Sequence, residues 1–414
     1  MSSNVKRLNR NSLFKKSTIF IFSMFLILTL LSEYIGFMTK KVGGDLISLN
    51  LDFDFNRSLL IYVMYFSLTV ACFLFVIYWS KIITPLVIVS SNGTLIHLVF
   101  LLIAIFYFVS INIFGVGSIV DGRVNSRLVE LVYALLQPVF LLPIYFLYFF
   151  GRGKLLYLFS LFIYIIAVLF SGFSNYFILI LPLFLSVFFK CGRIFQFGFV
   201  VLGFLLLPLL RIVKYCFVHN QSFNYFISML TFDNLIAFGR VMVDRFSYLH
   251  NVQYMMGNAS QFLSSYESLS LHPFFSNYIG SKIYSAFIND PNAVGNINNL
   301  YNYIILGSWG SNTYAPLLSQ MLIDPLGAIV VFIFYVFIFM FVSLLLSFIS
   351  AERWLRVYLT IVPLILYCLP GFYWAYMNLI QSIVLFFLIV VLFKALSVLF
   401  NIKTLRKPER LSEV

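Results

Sequence analysis

The chain has 414 residues, of which 62% are hydrophobic and only 10% are charged, and its formal net charge is +13. One soluble core could not bury so much apolar surface, so a soluble globular protein is excluded and an all-α polytopic membrane protein is predicted. A basic membrane protein uses its charge mainly for orientation and for contact with anionic lipid, so we expect membrane lipid, and no nucleic acid, as a partner.

A membrane-spanning helix needs about 20 mainly apolar residues, and roughly ten such stretches follow one another along the chain. The predicted spans cover residues 17–37, 59–79, 95–114, 128–150, 155–171, 173–189, 194–213, 326–349, 357–372 and 379–399. The first is too long for the apolar part of a signal peptide, which favours a retained span. The ninth is short and contains Pro363 and Pro370, which predicts a kinked or re-entrant helix.

The charges of the short loops predict the orientation. If the N-terminus is cytoplasmic, most lysines and arginines fall on the cytoplasmic side and few fall in the short external loops, as the positive-inside rule requires. Both termini are then cytoplasmic. The predicted parts are residues 1–214, a bundle of about seven helices; residues 215–316, a large external loop; and residues 317–414, about three helices and a tail.

The external loop is too rich in aromatic residues for a disordered linker, so we expect a folded cap of short helices along the membrane surface. Two acidic residues, Glu33 and Glu130, lie within or at the edge of predicted spans. Acidic residues inside a membrane are functional candidates, although Glu130 also has Arg127 three residues away as an interfacial partner. The four cysteines are scattered through apolar runs and predict neither disulfides nor a metal site.

No nucleotide-binding motif and no cluster with metal-ligand spacing occurs in the sequence. An external active site has no access to cytoplasmic ATP, so we expect an activated donor to arrive on a lipid, as a lipid diphosphate. Guanidinium groups bind such a diphosphate without a metal ion. Arg211 and Lys214 lie where the seventh span ends at the external face, and Arg240 and Arg245 follow in the loop.

The stretch GRVMVDRFSYLHN, residues 239–251, concentrates charges in a chain that has few. Arg240 and Arg245 are candidate catalytic cations for the leaving group, and Asp244 or His250 is the candidate base. A plainer interpretation makes Arg240 and Asp244 a surface ion pair and His250 an ordinary loop histidine. On a straight helix these side chains cannot share one face, so their convergence requires a break near Tyr248 or burial between cap and bundle.

Three segments carry a resemblance to a known family. They are SGFSNYF (residues 171–177), GRVMVDRFSYL at the loop, and GSWGSNTYAPLLSQMLIDPLG (residues 307–327), which leads into the next span. With the many phenylalanine-rich spans and the large external loop, they resemble the Wzy-type O-antigen (oligosaccharide repeat-unit) polymerases. The resemblance in layout covers nearly the whole chain, whereas the resemblance in motifs covers only the loop and its exits.

The resemblance implies a GT-C-like glycosyltransferase of the bacterial inner membrane that acts in lipopolysaccharide biosynthesis. Such an enzyme transfers a growing glycan from undecaprenyl diphosphate to a lipid-linked repeat unit at the periplasmic face. It uses neither a metal ion nor a soluble cofactor, and a flippase and a chain-length regulator are its expected protein partners. This chain departs from the R-x10-G pattern of the family: the interval from Arg245 to Gly257 is one residue longer. Residues 173–175 also lack the arginine that often follows the Ser-Gly pair.

Residues suited to substrate binding complete the predicted site. Amide groups can form hydrogen bonds to sugar hydroxyls and aromatic rings can stack on sugar rings. The predicted substrate-binding residues are Arg211, Lys214, Tyr248, Asn299, Tyr301 and Asn312. Two other functions stay open: an O-antigen ligase, which has the same layout and donor, and a flippase of lipid-linked oligosaccharides. A flippase would be expected to have more spans, inverted repeats and charged residues within its spans.

Overall fold

A computed structural model describes residues 10–41, 50, 54–85, 94–116, 126–151, 155–171, 178–188, 209, 212–213, 216, 221–235, 237, 243, 246, 248–267, 304, 316–323 and 325–405. Helices account for most of this part of the chain. In chain order they are α1 (Arg10–Thr39), α2 (Phe55–Ile82), α3 (Thr94–Asn112), α4 (Arg127–Leu136), α5 (Pro138–Phe149), α6 (Leu155–Ser171), α7 (Leu181–Phe188), α8 (Phe223–Ser228), α9 (Tyr248–Gly257), α10 (Ala259–Glu267), α11 (Leu317–Ile323), α12 (Pro325–Ile349), α13 (Arg353–Pro363) and α14 (Tyr373–Leu405).

Six helical stretches in this part of the chain are long and apolar enough to cross a membrane. They are Arg10–Thr39, Phe55–Ile82, Thr94–Asn112, Arg127–Phe149, Phe332–Ile349 and Ala375–Leu396. Each overlaps one of the predicted spans, which confirms an all-α protein with membrane-spanning helices. The fifth and sixth predicted spans correspond to shorter apolar helices, Leu155–Ser171 and Ile178–Phe188. The seventh predicted span lies almost entirely outside the described residues, so a total of ten stays a prediction.

The fourth predicted span is not one continuous helix. It consists of α4 and α5, separated at Gln137, whose backbone is left-handed with φ 43° and ψ 56°. Pro138 explains the break, because its ring disfavours the right-handed helical conformation at the preceding residue, while its fixed φ suits the first position of α5. Every residue of α5 is buried, whereas α4 buries none of its side chains.

The ninth predicted span is also irregular. It begins earlier than predicted, as α13, and after Pro363 it continues as a π-helix over Leu364–Cys368. A proline inside a helix removes one hydrogen bond and crowds the preceding turn, which accounts for the wider turn that follows. This segment packs against α1, α2, α5 and α12, and nearly all of its residues from Leu355 to Gly371 are buried. It therefore forms the centre of the described bundle.

Polar contacts hold four helix ends together at one end of the bundle. Arg10, at the start of α1, donates to the Tyr148 carbonyl of α5 at 2.9 Å and forms an ion pair with Glu352 at 3.3 Å. Arg353, at the start of α13, donates to the Ser80 hydroxyl of α2 at 3.1 Å. The sequence assigns all four ends to the cytoplasmic side, and the structure places them together. The side of the membrane that this end faces stays a prediction.

Cysteine labelling tests that orientation. In a background without the native cysteines, we expect Lys81→Cys, at the end held by Arg10 and Arg353, to react with a membrane-impermeant maleimide only after the membrane is opened. Ile113→Cys, which follows the opposite end of α3, is the matched position and should react in intact cells. Both native side chains are exposed. Labelling with the reverse pattern would invert the orientation.

Candidate functional site

One helix of the predicted external loop is inserted into the bundle. Helix α9 packs against α1, α2 and α11 and buries most of its side chains. By contrast, α8 and α10 keep mostly exposed side chains, as expected for helices on a surface. The prediction of surface helices therefore does not describe α9. Its burial brings loop residues into contact with membrane-spanning helices, which is one of the two conditions that the sequence set for convergence of the charged residues.

The centre of this contact is the carboxylate of Glu33, near the C-terminal end of α1. Gln253 on α9 donates a hydrogen bond from Nε2 to Glu33 Oε1 at 2.6 Å. His250, one turn earlier on α9, places Nε2 at 3.3 Å from Glu33 Oε2. All three side chains are buried, with only 1% of His250 and 9% of Glu33 exposed. We call Glu33, His250 and Gln253 the carboxylate site.

Gly36 creates the space that the imidazole occupies. It lies three residues after Glu33 and therefore on the same face of α1. A β-carbon at this position would overlap Nε2 and Cε1 of His250. The ring thus lies directly against the backbone of α1, which fixes it beside the carboxylate.

An aromatic layer lies next to the carboxylate site. Tyr248, the first residue of α9, stacks on Phe25 of α1 with ring centroids 6.0 Å apart, and Phe246 contacts both rings edge to face. Phe25 in turn contacts Tyr65 of α2, which is fully buried. The Tyr248 ring is therefore a packing element of the α9 interface. Its predicted contact with substrate stays a prediction.

The surroundings of Glu33 make its charge costly without partners. A carboxylate within a membrane-spanning helix loses its hydration and needs hydrogen bonds or an opposite charge. Gln253 supplies a donor, and His250 supplies a ring that becomes cationic when it takes up a proton. A carboxylate beside an imidazole fixes the orientation of the ring. The carboxylate site therefore holds an imidazole and an amide against one buried carboxylate.

Of the predicted site residues, Tyr248 and His250 lie within the described part of the chain. The other predicted catalytic residues, Arg240, Asp244 and Arg245, lie outside it. The same holds for the predicted substrate-binding residues Arg211, Lys214, Asn299, Tyr301 and Asn312. The second acidic candidate, Glu130, is described and is exposed on α4.

Sequence reasoning found two members of the carboxylate site separately, Glu33 as an acid within a span and His250 as a loop histidine. It did not predict their contact, and it missed Gln253 and Gly36. The available signal was spacing: His250 and Gln253 are three residues apart, as are Glu33 and Gly36. Residues three apart lie on one face of a helix, so each pair can contact a neighbouring helix. Only the packing of α9 on α1 shows that the two pairs contact each other.

Comparison of the chain with models of known protein families, with curated proteins and with solved structures gave no significant match.

Replacing Gly36 tests the packing of His250. We expect Gly36→Ala to lower the stability of the purified protein by about 1–3 kcal/mol, because the new methyl group must displace the imidazole. The matched control is Gly257→Ala at the end of α9, where an added β-carbon meets no other atom within 4 Å. That variant should be neutral or slightly more stable. Thermal unfolding in detergent measures both, and equal unfolding temperatures for the two variants would contradict the packing.

Proposed function

We propose that this chain is a membrane-embedded glycosyltransferase that polymerises lipid-linked saccharide repeat units, as its sequence resemblance to O-antigen polymerases implies. The donor is a growing glycan on undecaprenyl diphosphate, and the acceptor is a lipid-linked repeat unit. The reaction takes place at the periplasmic face of the bacterial inner membrane. The membrane-spanning helices and the polar site near their outer end support this assignment.

The observation that carries the proposal is the contact of His250 and Gln253 with Glu33. The chain maintains a buried carboxylate, a histidine and an amide where a loop helix meets the first span. Glu33 lies six residues before the end of α1, or about 9 Å from it. A lipid-linked substrate has its headgroup close to that depth. Apolar packing alone would not require a charged group there, so a chemical role accounts best for its presence.

In the proposed reaction, Glu33 orients the imidazole of His250, and the imidazole takes the proton from the acceptor hydroxyl. The acceptor oxygen forms a new bond to the anomeric carbon of the donor. The bond between that carbon and the diphosphate oxygen breaks, and undecaprenyl diphosphate departs with the electron pair. The proton on His250 then passes to water, which restores the neutral ring.

The leaving diphosphate gains negative charge as the bond breaks. Arg240 and Arg245 precede His250 by ten and five residues in the sequence, and Arg211 lies at the predicted membrane edge. We assign these guanidinium groups to the diphosphate, since bidentate contacts to phosphate oxygens stabilise the developing charge. Asp244 is assigned to the positioning of these cations.

Gene deletion and complementation test the proposal. Deletion in the organism that encodes the chain should remove long glycan chains and leave core capped by a single repeat unit. Wild-type protein should restore the ladder of chain lengths. Glu33→Gln and His250→Gln should not, because loss of the general base or of the carboxylate that orients it costs about a hundredfold or more in rate. Arg245→Ala should not, because the leaving diphosphate loses a cation that stabilises its developing charge.

Glu130→Gln is the matched control, since it makes the same chemical change at an exposed acid outside the carboxylate site. It should restore the full ladder. Membrane content of every variant is checked by immunoblotting. A deletion strain with bare core would instead indicate a ligase, and a deletion strain with an unchanged ladder would exclude both glycosyltransferases. A full ladder from Glu33→Gln and His250→Gln would remove the assigned base.

A further inference from the structure

A second group of polar side chains lies where the fourth span is broken. Gln137, at the break, folds back so that its Nε2 donates to the Ala134 carbonyl at 3.1 Å. Gln381 of α14 donates to the same carbonyl at 3.1 Å and to that of Leu135 at 2.8 Å. The two side-chain amides therefore converge on the last turn of α4. These contacts satisfy carbonyl groups that the break would otherwise leave without partners.

Asn378 adds a third amide to this group. It lies one turn before Gln381 on α14. Seen down the helix axis, Gln381 is about 60° from Asn378 in one direction and Phe386 is about 80° from it in the other. Gln381 contacts the end of α4, and the Phe386 ring contacts Tyr148 of α5. Asn378 lies between these two directions and so faces the α4–α5 segment. We call Gln137, Asn378 and Gln381 the amide cluster.

Two members of the amide cluster have hydrogen-bonding groups that no described residue satisfies. Asn378 is 0% exposed, and neither Oδ1 nor Nδ2 has a hydrogen-bond partner. Gln137 is 2% exposed, and its Oε1 likewise has none. Leaving such groups unpaired in an apolar interior is unfavourable. A ligand with both donors and acceptors would supply the missing hydrogen bonds.

The depth of the break can be read from the rings that pack across α3. Tyr133, in the last turn of α4, contacts Tyr107, and Tyr145 of α5 stacks on Phe100 further along the same helix. The break thus lies near the level of Tyr107, five residues or about 8 Å from the end of α3. Glu33 is at a similar distance from the end of α1. Both sites are therefore in the part of the bundle nearest the predicted external face.

A weakly packed helix lies beside the break. Helix α4 buries no side chain, and its leucines Leu128, Leu131 and Leu135 are exposed by 58% or more. Gln381 is only partly buried. Among the described residues, the approach between α4 and α14 is therefore covered by one weakly packed helix, which suits a ligand that diffuses within the membrane.

From these observations we propose that the amide cluster is a saccharide-binding subsite that holds neutral hydroxyl groups of the lipid-linked substrate. Neighbouring hydroxyls both donate and accept hydrogen bonds, and so do the amides of Gln137 and Asn378. The cluster carries no charge, so it recognises the sugar and not the diphosphate. The inference rests on the proposed function and adds to it a subsite for sugar, separate from the carboxylate site.

Binding measurements on the full chain test this subsite. The probes are a short isoprenyl diphosphate linked to N-acetylhexosamine and the same isoprenyl diphosphate without sugar, in a detergent that has no sugar headgroup. We expect wild-type protein to bind the sugar-bearing probe more tightly. The sugar-dependent gain is the ratio of the affinities for the two probes. Asn378→Leu should reduce this gain about tenfold, which corresponds to the loss of one or two hydrogen bonds, and should leave the affinity for the sugar-free probe unchanged.

Two further variants keep the test independent of misfolding. Gln137→Gly removes the amide but favours the left-handed backbone, so it should fold and also lose the gain. Ser382→Ala, one turn from Asn378, removes a hydroxyl that donates only to the Asn378 backbone carbonyl at 2.9 Å. It should bind both probes as wild type does. The unfolding temperature of Asn378→Leu should be no lower than that of the wild-type protein, because the Asn378 amide forms no hydrogen bond with a described residue that the substitution could remove.

The outcomes separate the two proposals. If Asn378→Leu and Gln137→Gly keep the full sugar-dependent gain, or weaken both probes equally, the subsite is wrong and the proposed function stands. If wild-type protein binds neither probe, the proposed function fails and the subsite fails with it.

Discussion

The buried contact of Glu33 with Gln253 and His250 is the interaction on which the functional account depends. It joins a helix of the large loop to the first membrane-spanning helix, and it does so with groups whose burial is costly unless they are paired. Gly36 makes the contact possible, because any larger residue would displace the imidazole. The loop is consequently part of the bundle at this point, and the imidazole of His250 is held at a fixed position on α1.

The two ends of the bundle differ in character. At the end predicted to be cytoplasmic, Arg10 and Arg353 bind backbone carbonyls and side chains of neighbouring helices, which fixes the helix ends relative to one another. Toward the other end lie the carboxylate site and the break at Gln137. The helix ends are thus anchored at one end of the bundle, and the polar groups that we assign to substrate lie toward the other.

Much of the fold follows from the sequence. Apolar length predicts the long helices, and Pro363 predicts the irregular ninth span. Pro138 carried the same kind of signal for the break at Gln137, but an unbroken run of apolar residues concealed it. The site was less accessible, because Glu33 and Gln253 are 220 residues apart and no local pattern relates them. Burial of the unpaired Asn378 amide depends on packing from several helices, and sequence periodicity does not reveal it.

Reconstitution tests the central claim most directly. The purified chain is placed in liposomes with undecaprenyl-diphosphate-linked repeat units, without nucleotides and in the presence of EDTA. The account predicts products longer than one repeat unit, with one undecaprenyl diphosphate released for each bond formed. Unchanged single repeat units, or elongation that requires a nucleotide sugar or a divalent metal ion, would contradict it.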